Sequence, residues 1–295
     1  MPLKKEQFGL RRKSLFKDFA ERYLEYSRIN KAPATYRRHD RNNMGHLVRA
    51  FGERKLGALR AMDVEGYKAK RLVRVSPATV NRELATLRHM YRKAVEWEYV
   101  KASPMANVRQ FKEPPGRVRY LTTDEIKRLL CQCAAHIRPI MVMALNTGMR
   151  KGEILKLRWR DVDLENRRII VVNSKNNETR MIPINQTLFE VFGRLKDGKG
   201  AGSRSGFVFT GEDGRPLGDI KKGFTAAVRR AGIEDFRFHD LRHTFASYLV
   251  MSGVDLRTVQ QVLGHTELKM TLRYAHLSSG HVLKSLERLD EVWRN

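Results

Sequence analysis

Apolar residues in the first hundred positions recur at helical spacing. Over residues 14–29, Leu15, Phe16, Phe19, Tyr23, Leu24 and Tyr26 line one side of a predicted amphipathic helix. Pro33 can open a second helix to about Phe51, because a first-turn proline forfeits no helical hydrogen bond. AMDVEGYKAKRLV, residues 61–73, predicts a shorter third. Ser76 followed by Pro77 reads as an N-cap and first helical position. The helix behind it runs to about Trp97, with Val80, Leu84, Leu87, Tyr91 and Val95 inward. Residues 1–112 thus predict a small all-helical domain with basic outer faces.

The periodicity stops at residues 101–119, KASPMANVRQFKEPPGRVR. Pro104, Pro114, Pro115 and Gly116 break regular structure there, so the segment reads as a linker whose joint is 113–119. A second domain, 120–295, opens at Thr122, where Glu125 completes a capping box. RRIIVVNSKNNETRMIPI predicts strands Ile169–Asn173 and Arg180–Ile184 around an Asn-rich turn, and Phe207–Thr210 a short strand. Helices are expected from Asp219 onward. The last, about Gly280–Val292, carries Leu283, Leu286 and Leu289 at three-residue steps. The fold class is mainly α with a small antiparallel β-sheet.

Composition narrows the partner. The 295-residue chain is 41% hydrophobic, enough for two cores, and has no apolar run long enough to cross a membrane. Its basic N-terminus lacks an apolar signal core. Cys131 and Cys133, one residue apart, are no disulfide framework, and a reducing cytoplasm fits better. The formal net charge is +26, with a pI of about 10.4. Residues 1–112 hold 27 Lys and Arg against 11 Asp and Glu, a net of +16. Such density suits a module clamped on phosphates, where counterion release adds salt-dependent affinity. Charge alone fits a ribosome-associated or merely very soluble protein as well.

Candidate chemistry lies in five phrases: TGMRKGEIL, NSKNNETRMIPI, HDLRHTFASYL, LGH and TLRYAHL. In the third, His239, Arg242 and His243 fall at i, i+3 and i+4 and share a helical face. A helix start bearing imidazole and guanidinium suits an anion, and a zinc pair of His239 and His243 is the competing reading. Arg150 opens a helix with Glu153 at i+3, either an oriented functional arginine or an ordinary surface pair. Lys175 sits at a hairpin tip, placed to reach a substrate or simply to be solvated. His265 follows Gly264, a C-cap glycine. Tyr274, with Thr271 three residues before it, is a nucleophile or a core tyrosine. GRLKDGKG, from Gly193, lacks the Ser or Thr of a phosphate-binding loop and reads as a plain loop. Cys131 and Cys133 read as partly buried helix.

The ordered set TGMR, Lys, HDLRH, LGH and Tyr resembles the tyrosine recombinase, or phage integrase, family. The resemblance covers about residues 120–280, and the first hundred residues are similar to the family's helical, SAM-like core-binding domain. It implies a two-domain C-clamp around double-stranded DNA. It further implies that Arg150 and Arg242 hold the scissile phosphate, that His265 adds a hydrogen bond, and that Tyr274 attacks phosphorus to give a 3′-phosphotyrosine. His239 would accept the phenolic proton and Lys175 would protonate the leaving 5′-oxygen, with neither metal nor cofactor required. Four protomers would act on two duplexes, the C-terminal helix docking on a neighbouring protomer or else packing on its own domain, with an accessory directionality factor as a candidate further partner. The short stretch before the first helix leaves no room for an arm-binding domain, which implies simple core sites or a truncated protein. Rival readings are a type IB topoisomerase-like activity, a catalytically silent DNA-binding regulator and a metal-dependent nuclease.

Overall fold

The computed structural model describes residues 14–114, 117–172, 179–197, 206–211, 215–278 and Glu287. Lys175 and the expected last helix lie outside these residues. The chain divides into two compact units, Met1–Pro115 and Gly116–Asn295.

The first unit contains α1 (Phe16–Asn30), α2 (Arg41–Phe51), α3 (Ala61–Leu72) and α4 (Pro77–Glu96). Pro33–Thr35 and a π-helical turn, Tyr36–Asp40, lead into α2. Ser76 caps α4, its hydroxyl accepting from the Thr79 N–H, as the Ser-Pro pair predicts. The predicted inward residues Phe16, Phe19, Tyr23, Leu84, Leu87 and Tyr91 are fully buried together. Val95 is the exception, since it lies exposed at the end of α4. Glu83 is buried on α4 and accepts hydrogen bonds from Tyr67 and Arg71 of α3. Burial alone would raise its pKa, but Arg71 and Tyr67 hold it below the usual carboxylate range.

Residues 101–113 are packed rather than free. Met105 and Val108 enter the first core. Arg88 donates to the Val108 carbonyl, Lys68 to that of Arg109, and Asn81 exchanges two hydrogen bonds with the Phe111 backbone. Prolines deny this stretch regular structure, yet long side chains from α3 and α4 satisfy its backbone. On the other side, Arg117 donates to Asp240 and to the Asp235 carbonyl, and the Leu121 N–H donates to Thr244 Oγ1.

The second unit has α5 (Thr123–Cys131), α6 (Arg138–Thr147) and α7 (Lys151–Leu155). Three antiparallel strands follow, β1 (Val162–Asp163), β2 (Arg168–Val172) and β3 (Thr179–Pro183). Then come α8 (Gln186–Asp197), α9 (Lys221–Arg230), α10 (Asp240–Met251) and α11 (Leu256–Leu263), with 3₁₀ turns at Leu268–Met270 and Leu272–Ser278. The predicted capping box is present, with Thr122 and Glu125 each bonding the other's N–H. β2 and β3 pair as expected, Ile169 opposite Ile182, but each strand begins one residue early.

Phe207–Thr210 forms isolated bridges rather than a strand. Phe207 pairs with Arg158 and Thr210 with Pro216, which has no N–H to extend a ladder. The glycine-rich stretch from Gly193 is helical as far as Asp197 because Leu195 packs on the core. Cys131 ends α5 exposed, and Cys133 lies beyond the helix. No helix among the described residues is long and apolar enough to cross a membrane.

α6 is the buried spine of this unit, with Ile140, Met141, Met143 and Ala144 inside. It ends at Gly148, whose φ of +60° is a left-handed cap. A Cβ there would lie 2.5 Å from the Phe245 ring and 2.7 Å from Leu263. Backbone strain and overlap therefore act together at the residue that aims Arg150. Gly148→Ala should lower the urea-unfolding free energy by about 2–4 kcal/mol, and a midpoint within experimental error of wild type would contradict this account.

Candidate active site

The site assembles around the C-terminus of α11. A helix leaves its last carbonyls without partners and concentrates negative potential there. Gly264, at φ +65°, turns the chain so that the His265 N–H closes on the Gln260 carbonyl and the Gly264 N–H on that of Gln261. The next three carbonyls accept from arginines on three other elements. Arg180 Nε of β3 donates to Val262 at 3.1 Å, Arg242 Nη2 of α10 to Leu263 at 2.7 Å, and Arg150 Nη2 to Gly264 at 3.3 Å.

Glu153 of α7 ties two of these arginines together. Its carboxylate accepts the Arg150 backbone N–H at 2.8 Å and Arg150 Nη1 at 3.0 Å, so the pairing expected from their spacing is present. It also takes both terminal nitrogens of Arg180. Burial favours its neutral form, but the Arg180 and Arg150 bonds hold its pKa below the usual range. Arg180 was not foreseen. Its signal was present: in the alternating strand Arg180–Ile184 it shares the inward face with Ile182, and a buried guanidinium demands an anion.

Arg242 is 3% exposed and donates its second terminal nitrogen to the Gly148 carbonyl at 2.8 Å. Burial, then repulsion from Arg150, lowers its pKa to about 9, which leaves it charged at neutral pH. A guanidinium has five N–H donors, and two go to carbonyls here, so donors remain for an anion.

His265 sits directly behind the three carbonyls. Its Nδ1 lies 2.8 Å from the hydroxyl of buried Thr271. Thr271, three residues before Tyr274, therefore orients His265. Burial and the Arg242 charge lower the His265 pKa to about 3, so the ring is neutral. With Nδ1 engaged by Thr271, Nε2 is the nitrogen available to a ligand.

Tyr274 lies in the 3₁₀ turn Leu272–Ser278 and is 1% exposed, packed with Ala246, Val250, Val259 and Leu263. Its hydroxyl meets His243, with Nδ1 2.5 Å from Oη. His239 stands at the N-cap of α10 and is exposed, its ring 5.1 Å from that of His243 in an edge-on arrangement. Close packing and the Arg242 charge lower its pKa. The shared face read from the sequence thus splits: His239 faces outward, while Arg242 and His243 face in. The structure brings Arg150, Arg242, His265 and Tyr274 around α11, sets His239 at the rim, and leaves Lys175 outside the described residues.

The phage integrase family profile matches residues 119–281, and that of the phage integrase N-terminal domain matches residues 16–112. The integrase of Salmonella phage P22 is 33% identical over 231 residues, 73% of this chain and 58% of that protein. The integrase of Escherichia phage 186 is 34% identical over 248 residues, 80% of this chain and 68% of that protein. The chain therefore spans well under two thirds of the P22 relative's length. Among solved structures, the Tn1549 transposon integrase with circular intermediate DNA aligns at a TM-score of 0.77 and 20% identity, covering 93% of this chain and 99% of that one. A lambda integrase dimer bound to a COC′ core site aligns at 0.77 and 19%, covering 93% and 80%. At such identities the likeness is one of fold.

The two buried imidazoles link this site to stability. Folding lowers His243 to about 4 and His265 to about 3 from an ordinary value of 6.5. Their contribution is whole above pH 6.5 and is lost as the pH falls toward 4 and then 3, because the unfolded chain binds those protons first. Urea unfolding at pH 5 should show about 3–4 kcal/mol less stability than at pH 7.5, a loss that His265→Gln should reduce; equal stability at both pH values would refute it.

Proposed function

This chain belongs to the phage integrase family, and we propose that it is a site-specific DNA recombinase, cutting and rejoining duplex DNA through a 3′-phosphotyrosine. The observation that carries the reading is an excess of fixed cations. Arg150, Arg180 and Arg242 surround α11 with Glu153 as the carboxylate bonded among them, and His265 and Tyr274 lie beside them. Such a cluster is complete only when an anion enters.

A phosphodiester fits that need. Arg150 and Arg242 hold the non-bridging oxygens, and their charge matters most as negative charge grows on the pentavalent phosphorus. Neutral His265 donates from Nε2 to the same oxygens. Tyr274 attacks phosphorus, and His239, at the N-cap of α10, takes the phenolic proton. That acceptor is needed because burial raises the Tyr274 pKa to about 12, against the pull of Arg242 and Arg273. Lys175 protonates the departing 5′-oxygen, a role worth about 10²–10⁴ in rate. The phosphotyrosine keeps the ester's reactivity, so the 5′-hydroxyl of a second strand reverses the step without ATP.

The relatives support exchange between duplexes rather than relaxation of one. They are named integrases and recombinases, and one solved lambda integrase is a tetramer on a Holliday junction. On this reading four copies of the chain assemble on two DNA duplexes, with the helical first unit and the second unit both on the backbone.

The deciding experiment incubates the protein with nicked duplexes tiling the DNA that flanks its gene. Wild type should trap a covalent adduct in excess chelator, and Tyr274→Phe should trap none. An adduct surviving in the variant would remove Tyr274 as nucleophile. Lys175→Ala should cleave at least about 10²-fold more slowly and recover on a substrate with a sulfur 5′ leaving group; lack of recovery would remove the acid role.

A further inference from the structure

We propose that Arg117 and Asp240 form a positioning pair that sets the place and the charge environment of His239, the proton acceptor of the recombinase reading on which this inference rests. Arg117 lies outside all five motif phrases, in the basic segment at the joint of the two units. Asp240 follows His239 directly and is 6% exposed. Its Oδ2 accepts Arg117 Nη2 at 2.8 Å and the Arg237 N–H at 2.8 Å. The Asp240 N–H in turn donates to the Arg237 carbonyl at 2.9 Å. The turn closed by these two bonds carries His239, whose own side chain makes no capping bond. Asp240 therefore holds the start of α10, and Arg117 holds Asp240.

Two stitches fasten the joining segment along the first turn of α10. Arg117 makes one, and its guanidinium also donates to the Asp235 carbonyl at 2.6 Å and to the Asp235 carboxylate. Further along, the Leu121 N–H donates to Thr244 Oγ1 at 3.1 Å, and that hydroxyl donates to the Asp240 carbonyl at 2.8 Å. Asp240 and Thr244 lie about one helical turn apart. The segment thus grips the helix start that presents His239 and Arg242. A buried carboxylate is costly without a cation, and Arg117 supplies one.

The charges around His239 give the pair a chemical consequence. Its ring faces Asp240, Arg242 and His243 on α10, Arg150 at the start of α7, and Arg273 on the 3₁₀ turn. Burial and then Arg242 lower the His239 pKa, Arg150 and Arg273 add to that, and Asp240 is the carboxylate that pulls the other way. Arg117 shares that carboxylate. Without Arg117 the Asp240 charge stands uncompensated beside the imidazole and favours its protonated form; without the Asp240 charge the neutral form gains. His239 takes the phenolic proton only when neutral, so the two changes displace the acid side of the cleavage profile in opposite directions.

The test measures adduct formation from pH 5 to 8 on a saturating nicked duplex for the full-length wild type, Arg117→Gln, Arg117→Lys and Asp240→Asn, with DNA affinity measured in parallel. Arg117→Gln should slow cleavage about 10-fold at pH 7 and move the acid limb of the profile up by about half a pH unit. Asp240→Asn should move that limb down by about as much. Arg117→Lys keeps the charge and should return the limb toward the wild-type position. Wild-type limbs in both Arg117→Gln and Asp240→Asn, whatever their rates, overturn the proposal, and so does a loss confined to DNA affinity. If Asp240→Asn does not fold, the NMR titration of the His239 ring in wild type and Arg117→Gln decides. The midpoint should rise in the variant, and an unchanged midpoint overturns the proposal. A wild type that forms no adduct on any duplex would overturn the recombinase reading itself, and this inference with it.

Discussion

Everything at this site depends on the unpaired carbonyls at the end of one short helix. α11 stops at Gly264, and Val262, Leu263 and Gly264 present oxygens that its own backbone leaves without partners. Three arginines from β3, α10 and the start of α7 converge on them. The helix end thereby holds together elements far apart in sequence. It also brings several like charges close, which open water would not favour. Gly264 is integral to this arrangement, since a Cβ there would come within 2.9 Å of the Arg180 side chain.

The electrostatic consequence is a site short of negative charge. Glu153 offsets part of the surplus while fixing Arg150 and Arg180. Arg242 is so deeply buried that its pKa falls to about 9. Burial first, and neighbouring positive charge after it, keeps His243 and His265 neutral, one hydrogen-bonded to the phenol and the other to Thr271. On the proposed reading a phosphodiester would supply the missing charge.

Local signals suffice where one residue decides the backbone. Ser76-Pro77, Thr122 with Glu125, and Gly264 each mark a helix boundary, and each stands there. They do not suffice where a distant partner decides. The stretch 101–113 has linker composition, yet Arg88, Lys68 and Asn81 pin it to the first core. Phe207–Thr210 has strand composition, yet it faces a proline and single bridges. Arg180 carries no local signal of its partner, because Glu153 lies 27 positions earlier.

By itself the sequence determined the helical character of the first unit, the β2–β3 pairing and the kinds of residue available to the site, because caps, periodicity and glycine positions act over a few residues. Only the tertiary structure decided which of those side chains meet. Nothing in HDLRH distinguishes the two histidines, since both lie on the same helical face. Packing of the turn Leu272–Ser278 against α10 buries one of them on the tyrosine and leaves the other in solvent. That choice comes from long-range packing, which local spacing does not encode.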